Sequence, residues 1–126
     1  YKRQDDFQML DVGGEKLFER IARLAQTQWN TNGSLGLVVG ATYPHELQRV
    51  REIAPDLNLL VPGIGAQGGD IHASVLAGLD AKGRGMVINS GRAIIYASRG
   101  EDWKERASEK AKETCLAIRA AASERK

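Results

Sequence analysis

The stretch LNLLVPGIGAQGGD, Leu57 to Asp70, decides how this chain folds. Its first half is a short, nearly continuous apolar run, as expected of a strand in a parallel sheet. The chain then passes through Gly63, Gly65, Gly68 and Gly69 and reaches Asp70, a carboxylate suited to cap a helix N-terminus. The helix predicted from there runs through Ala77, with Gly78 as its stop. Strand, glycine loop and helix make one βα unit.

The same unit is written on both sides. Upstream, LGLVVGA (Leu35 to Ala41) reads as a strand buried on both faces. Pro44 is tolerated in a first helical turn, Leu47, Val50 and Ile53 form the buried stripe of the next helix, and Pro55 stops it. Before that strand, Leu17, Ile21, Leu24 and Ala25 predict an amphipathic helix over residues 15–28, preceded by a polar, turn-like opening. Downstream, GMVINS (Gly85 to Ser90) is a third strand. GRAIIYASRG leads out of it to a last helix with Trp103, Ala107, Ala111, Thr114 and Ile118 along one side. Strands alternating with helices mean a parallel α/β sheet. Three such strands cannot close a barrel and enclose little core, so the pattern reads as part of something larger.

Composition narrows the class. The chain has the length of one domain, 126 residues, with 42% hydrophobic and 27% charged content, as in a soluble globular protein. A net charge of +2, with basic and acidic residues interleaved, gives no nucleic-acid signature. The single Cys115 fits a reducing cytoplasm. No apolar run approaches the roughly 20 residues that span a bilayer, and YKRQDD is no signal peptide. The start at Tyr1 rather than Met reads as removal of something upstream.

In parallel α/β folds ligands bind at the carboxyl ends of the strands. After the second strand, the glycines let backbone amides approach an anion, and Gln67 adds a side-chain donor. A tight turn before a capped helix explains the same residues, and spacing alone leaves both readings open. After the third strand come Ser90, Gly91 and Arg92. Arginine offers a planar fork for phosphate oxygens, although a lone surface Arg more often serves a structural ion pair. The two loops together favour a phosphate site, because they follow adjacent strands, as in barrels that hold phosphate after their last two.

Other candidates are weaker. His45 and His72 have no partner at metal-ligand spacing, so no metal site is expected. GATYP (Gly40 to Pro44) suits a pocket wall or a plain turn. Trp29 and Trp103 read as packing residues, and Ser34, Ser74 and Ser90 lack a nucleophile-elbow context. In the last helix, Lys104, Arg106, Lys110 and Lys112 alternate with Glu105, Glu109 and Glu113, which describes a solvated face.

GLVVGATYPHEL (Gly36 to Leu47), LLVPGIGAQGGD (Leu59 to Asp70) and VINSGRAIIYA (Val87 to Ala97), in this order, resemble the C-terminal half of orotidine 5′-phosphate decarboxylase, in its longer bacterial-type branch. The resemblance runs from Asp6 to about Ala120. It implies that residues 1–126 are the C-terminal portion of a single (β/α)8 barrel domain, about strands six to eight with their helices, the N-terminal half being absent from the chain. It further implies that Gln67, Gly91 and Arg92 grip the substrate 5′-phosphate while Pro62 and Ile64 line the apolar side of the pocket. The implied reaction converts orotidine monophosphate to UMP and CO2, in pyrimidine biosynthesis, without metal or organic cofactor.

The family's proton-donating lysine lies in an Asp-x-Lys-x-x-Asp motif, which this chain lacks. DAKGRG (Asp80 to Gly85) carries an Asp-x-Lys, but before the third strand, at the wrong end of a barrel. Tyr1 to Gln4 also replace a Ser-Asn-Pro-Gly-rich stretch of the longer branch, so base recognition is not assigned. Expected partners are orotidine monophosphate or UMP, the N-terminal half of the barrel and, when complete, a second copy in a homodimer. Neither nucleic acid nor membrane is expected. Two alternatives stand beside this: a non-catalytic phosphate-binding or structural module, and another sugar-phosphate barrel enzyme, against which AQGGD argues.

Overall fold

The computed structural model describes residues 4–64 and 70–125. A short helix, α1 (Gln4–Phe7), precedes a turn that doubles back through an Asp11–Lys16 bridge. Helix α2 (Leu17–Leu24) follows, continued by one π-helical stretch, Ala25–Trp29. Then come β1 (Gly36–Val38), α3 (Pro44–Ile53), β2 (Asn58–Pro62), α4 (Ile71–Gly78), β3 (Met86–Asn89), the single turn α5 (Arg92–Ile95) and the long α6 (Trp103–Ser123). The strands form one parallel sheet in the order β1-β2-β3.

The sheet buries one face. Leu59 and Val61 of β2 are fully buried against Leu47 and Val50 of α3, with Ala22 of α2 and Ile64 in the same cluster. Each buried Leu, Val or Ile side chain contributes about 1.5–3 kcal/mol relative to exposure. The opposite face is bare: Val38, Leu60 and Val87 lie in register across the three strands and are 70%, 37% and 62% exposed. The expectation that β1 is buried on both faces is therefore corrected. An apolar run cannot show whether the chain that would cover its second face is present, and here only the helical side is covered.

Helix starts follow local chemistry. The Asp70 carboxylate accepts from the Ala73 amide at 3.0 Å, capping α4, and Pro44 opens α3. Other expectations shift. Gly78 closes α4 from inside, with Leu79 as C-cap, because the glycine is needed for packing: a Cβ there would lie 2.7 Å from Met86 Cε. Ala25, just past α2, is buried as expected, but Leu17, Ile21 and Leu24 are only half-buried, and Ala22 is the buried residue within α2 itself. On α6 the inward stripe includes Thr114 and Ala121, but Trp103 is 52% exposed, with the Lys104 ammonium 5.4 Å over its ring. Trp29 is equally exposed, so neither tryptophan is a core residue.

Candidate functional site

Parallel register brings the ends of β2 and β3 side by side: Pro62 pairs with Asn89. Beyond that pair, Gly63 and Ile64 on one side and Ser90, Gly91 and Arg92 on the other enclose a cavity of about 230 Å3 at the carboxyl ends of the strands. Gly63 adopts φ +96°, a conformation that L side chains rarely take, so the exit from β2 requires glycine. Ile64, 2% exposed, anchors this exit in the core while forming part of the cavity wall.

On the other side, the carbonyl of Gly91 accepts from the amides of Ile94 and Ile95 at 3.0 and 2.9 Å, which closes the turn of α5. The earliest amides of a helical turn have no intrahelical acceptor and can meet an anion. Gly91 has φ −95°, and a Cβ built on it would meet nothing within 4 Å among the described residues. Neither strain nor crowding there demands glycine, so its smallness leaves space at the cavity. The Arg92 side chain is exposed and has no hydrogen bond or ion pair among the described residues. Among the described residues that line the cavity none carries a carboxylate, and Arg92 brings a cation to it.

The structure thus gathers Pro62, Ile64, Gly91 and Arg92 at one cavity. Gln67 lies outside the described residues. Sequence reasoning passed over Asn89, although the period of two from Val87 puts it on the bare face of the sheet.

A larger cavity, about 1050 Å3, runs along α3 and α4 to the amino ends of β2 and β3. It holds Arg51, Asp80, Lys82 and Arg84, of which the Arg51 and Asp80 side chains organise the local structure. The Asp80 carboxylate accepts from the amides of Lys82 and Arg84, each at 2.8 Å, and the Arg84 amide is the main cause that lowers its pKa. The DAKGRG turn therefore sits at the end opposite the candidate site. His72 meets Glu124 at 2.8 Å on the surface, and no group of three or more metal-ligating side chains is gathered among the described residues.

Comparison with known proteins gives this geometry a context. Residues 2–107 match the Orotidine 5'-phosphate decarboxylase / HUMPS family. The orotidine 5'-phosphate decarboxylase of Dechloromonas aromatica is 60% identical over 113 residues, which is 90% of this chain and 42% of that protein. Among solved structures, Leishmania donovani UMP synthase aligns with TM-score 0.78 and 50% identity, over 94% of this chain and 26% of that one. Leishmania donovani OMP decarboxylase aligns with TM-score 0.76 and 45% identity, over 93% and 44%. The sheet and its helices are accordingly part of a (β/α)8 barrel, and the chain spans about two-fifths of the length of the curated relatives it matches.

Proposed function

Because the chain belongs to the orotidine 5'-phosphate decarboxylase / HUMPS family, we propose that it is the phosphate-gripping part of a decarboxylase that converts orotidine monophosphate to UMP and CO2. The observation that carries this reading is the guanidinium of Arg92, which has no partner among the described residues, beside Gly91 at a cavity shared with Pro62 and Ile64. Arg92 presents a planar donor fork to phosphate oxygens, the first amides of α5 add donors, and Gln67 completes the grip from the glycine loop. Pro62 and Ile64 form the apolar wall on the side toward the base.

Such a site acts on a reaction at a distance. Binding energy from a non-reacting phosphate contributes to catalysis when it holds the reacting carbon in place and is fully expressed only in the transition state. The proton donor belongs to the Asp-x-Lys-x-x-Asp motif, which this sequence does not contain. Decarboxylation therefore requires the N-terminal half of the barrel. The row Val38, Leu60 and Val87 supports this, since in a closed barrel that face is interior and covered. A cytoplasmic setting, with a homodimer of the complete enzyme, fits the family and the lone Cys115.

The test is reconstitution. The chain is combined with an N-terminal half of a relative that carries the motif, and turnover of orotidine monophosphate is measured with Arg92 and with Arg92→Ala. Turnover is expected with Arg92, and the variant is expected to lose about 2–3 kcal/mol in kcat/KM, the scale of a charge-assisted contact. An assembled barrel without turnover, or an unchanged kcat/KM in the variant, overturns the reading.

A further inference from the structure

The bare face of the sheet is ordered in rows set by the strand register. Val38, Leu60 and Val87 make an apolar row, and the next row toward the carboxyl ends contains Pro62 and Asn89. Asn89 therefore brings a carboxamide to the place where the apolar interior gives way to the cavity. It is exposed, it lines the cavity with Gly91 and Arg92, and its side chain has no hydrogen bond among the described residues. Closing the barrel over this face would withdraw that amide from water, and a buried amide requires a partner.

We propose that Asn89 is a further ligand-contacting residue, its carboxamide bonding a sugar oxygen next to the phosphate of a nucleoside 5'-phosphate. This rests on the phosphate assignment of Arg92 made above. Position argues for the sugar. Arg92 belongs to α5, past the end of the sheet, whereas Asn89 is the last residue of β3 and faces the same side as Val87. A ligand with its phosphate at Arg92 and its remainder directed inward passes Asn89 next, and the unit joined to the phosphate is the sugar. Chemistry agrees: a carboxamide both donates and accepts, as a hydroxyl does, while a phosphate dianion only accepts.

The experiment is a titration of the 126-residue chain, labelled with nitrogen-15, with inorganic phosphate and separately with ribose 5-phosphate. It follows the Arg92 Nε–H and Asn89 side-chain signals. Both ligands are expected to move Arg92, and only ribose 5-phosphate is expected to move Asn89. Asn89→Ala should weaken ribose 5-phosphate roughly three- to tenfold while phosphate affinity stays within about twofold. An Asn89 signal silent to ribose 5-phosphate, while Arg92 responds, overturns the Asn89 assignment and leaves the phosphate site standing. An Asn89 that responds equally to both ligands overturns the sugar assignment. An Arg92 silent to both overturns the phosphate reading itself, and this inference with it. The wild-type signals decide the matter even where the alanine variant folds poorly.

Discussion

The guanidinium of Arg51 donates from Nε to the carbonyl oxygen of Gly78 at 2.8 Å, tying the last turn of α3 to the end of α4. Its Nη1 reaches the carbonyls of Ala54, Pro55 and Leu57 at 3.2, 3.1 and 2.7 Å, and its Nη2 reaches Gly85 at 2.9 Å. One buried side chain thus satisfies helix-end and loop carbonyls that would otherwise lose water without gaining a donor. Burial is the main cause that lowers its pKa, and the Asp80 carboxylate opposes the shift. Arginine nonetheless stays charged at neutral pH.

Arg51→Leu is accordingly expected to cost about 3 kcal/mol or more, because several carbonyls lose their donor together. Arg51→Lys keeps the charge but not the fork, and should recover less than half of the loss. Urea unfolding checks both. A cost below about 1 kcal/mol for the leucine variant would show that water replaces the guanidinium.

Gly78 makes a second, independent demand. A Cβ there would lie 2.7 Å from Met86 Cε and Sδ and 3.2 Å from Leu47 Cδ2. Helix propensity favours alanine by about 1 kcal/mol, while overpacking costs about 1–3 kcal/mol. Met86 can move, but Leu47 is fully buried, so Gly78→Ala should be a net loss. A double-mutant cycle with Met86→Ala tests the cause: the pair should cost less than the sum of the single variants. Strict additivity would place the clash elsewhere.

The contrast between Asp70 and Gly78 shows what the sequence could tell. Asp70 caps through an amide three residues away, so its role is local and legible. Gly78 looks like a helix stop by the same local reasoning, but the reason for it lies in Met86 and Leu47, contacts that no short window contains. Arg51 resembles any helix-surface arginine until the ends of several elements converge on it. At the candidate site, the position of Gly91 and Arg92 just past the end of β3 was legible, because strand ends are where parallel folds place their ligand loops. Asn89 was passed over because its place at the cavity depends on which face of β3 is bare. Pattern shows what is apolar, but the covering of each face depends on tertiary partners.

Acid stability offers a third test. Arg49 Nε bonds Glu19 Oε1 at 2.6 Å, and the Lys16 amide bonds Glu19 Oε2 at 2.9 Å. The Arg49 bond is the main cause that holds the Glu19 carboxyl below its ordinary value of 4.5, with the Lys16 amide second. A carboxylate with a lower pKa in the folded state stabilises the fold above its unfolded value, and this stabilisation disappears as pH falls through the folded value. Arg49→Gln removes the larger cause, so its unfolding midpoint should fall less steeply between about pH 5 and pH 3. Arg49 is half-exposed, so the difference should stay below about 1 kcal/mol. Parallel curves for the two proteins would remove the ion pair from the account.

The last test separates scaffold from site at Gly91. Its φ of −95° suits any residue, and a Cβ would meet nothing within 4 Å among the described residues. Gly91→Ala should therefore leave unfolding stability within about 0.5 kcal/mol, as for substitutions that touch no buried group. The added methyl stands instead beside Arg92 at the cavity, in the space proposed for the phosphate. Affinity for inorganic phosphate should fall about tenfold or more, in proportion to the charge-assisted contacts displaced. The two readouts have to diverge. If stability falls and phosphate affinity does not, Gly91 serves the turn alone, and the space beside Arg92 is not reserved for a ligand.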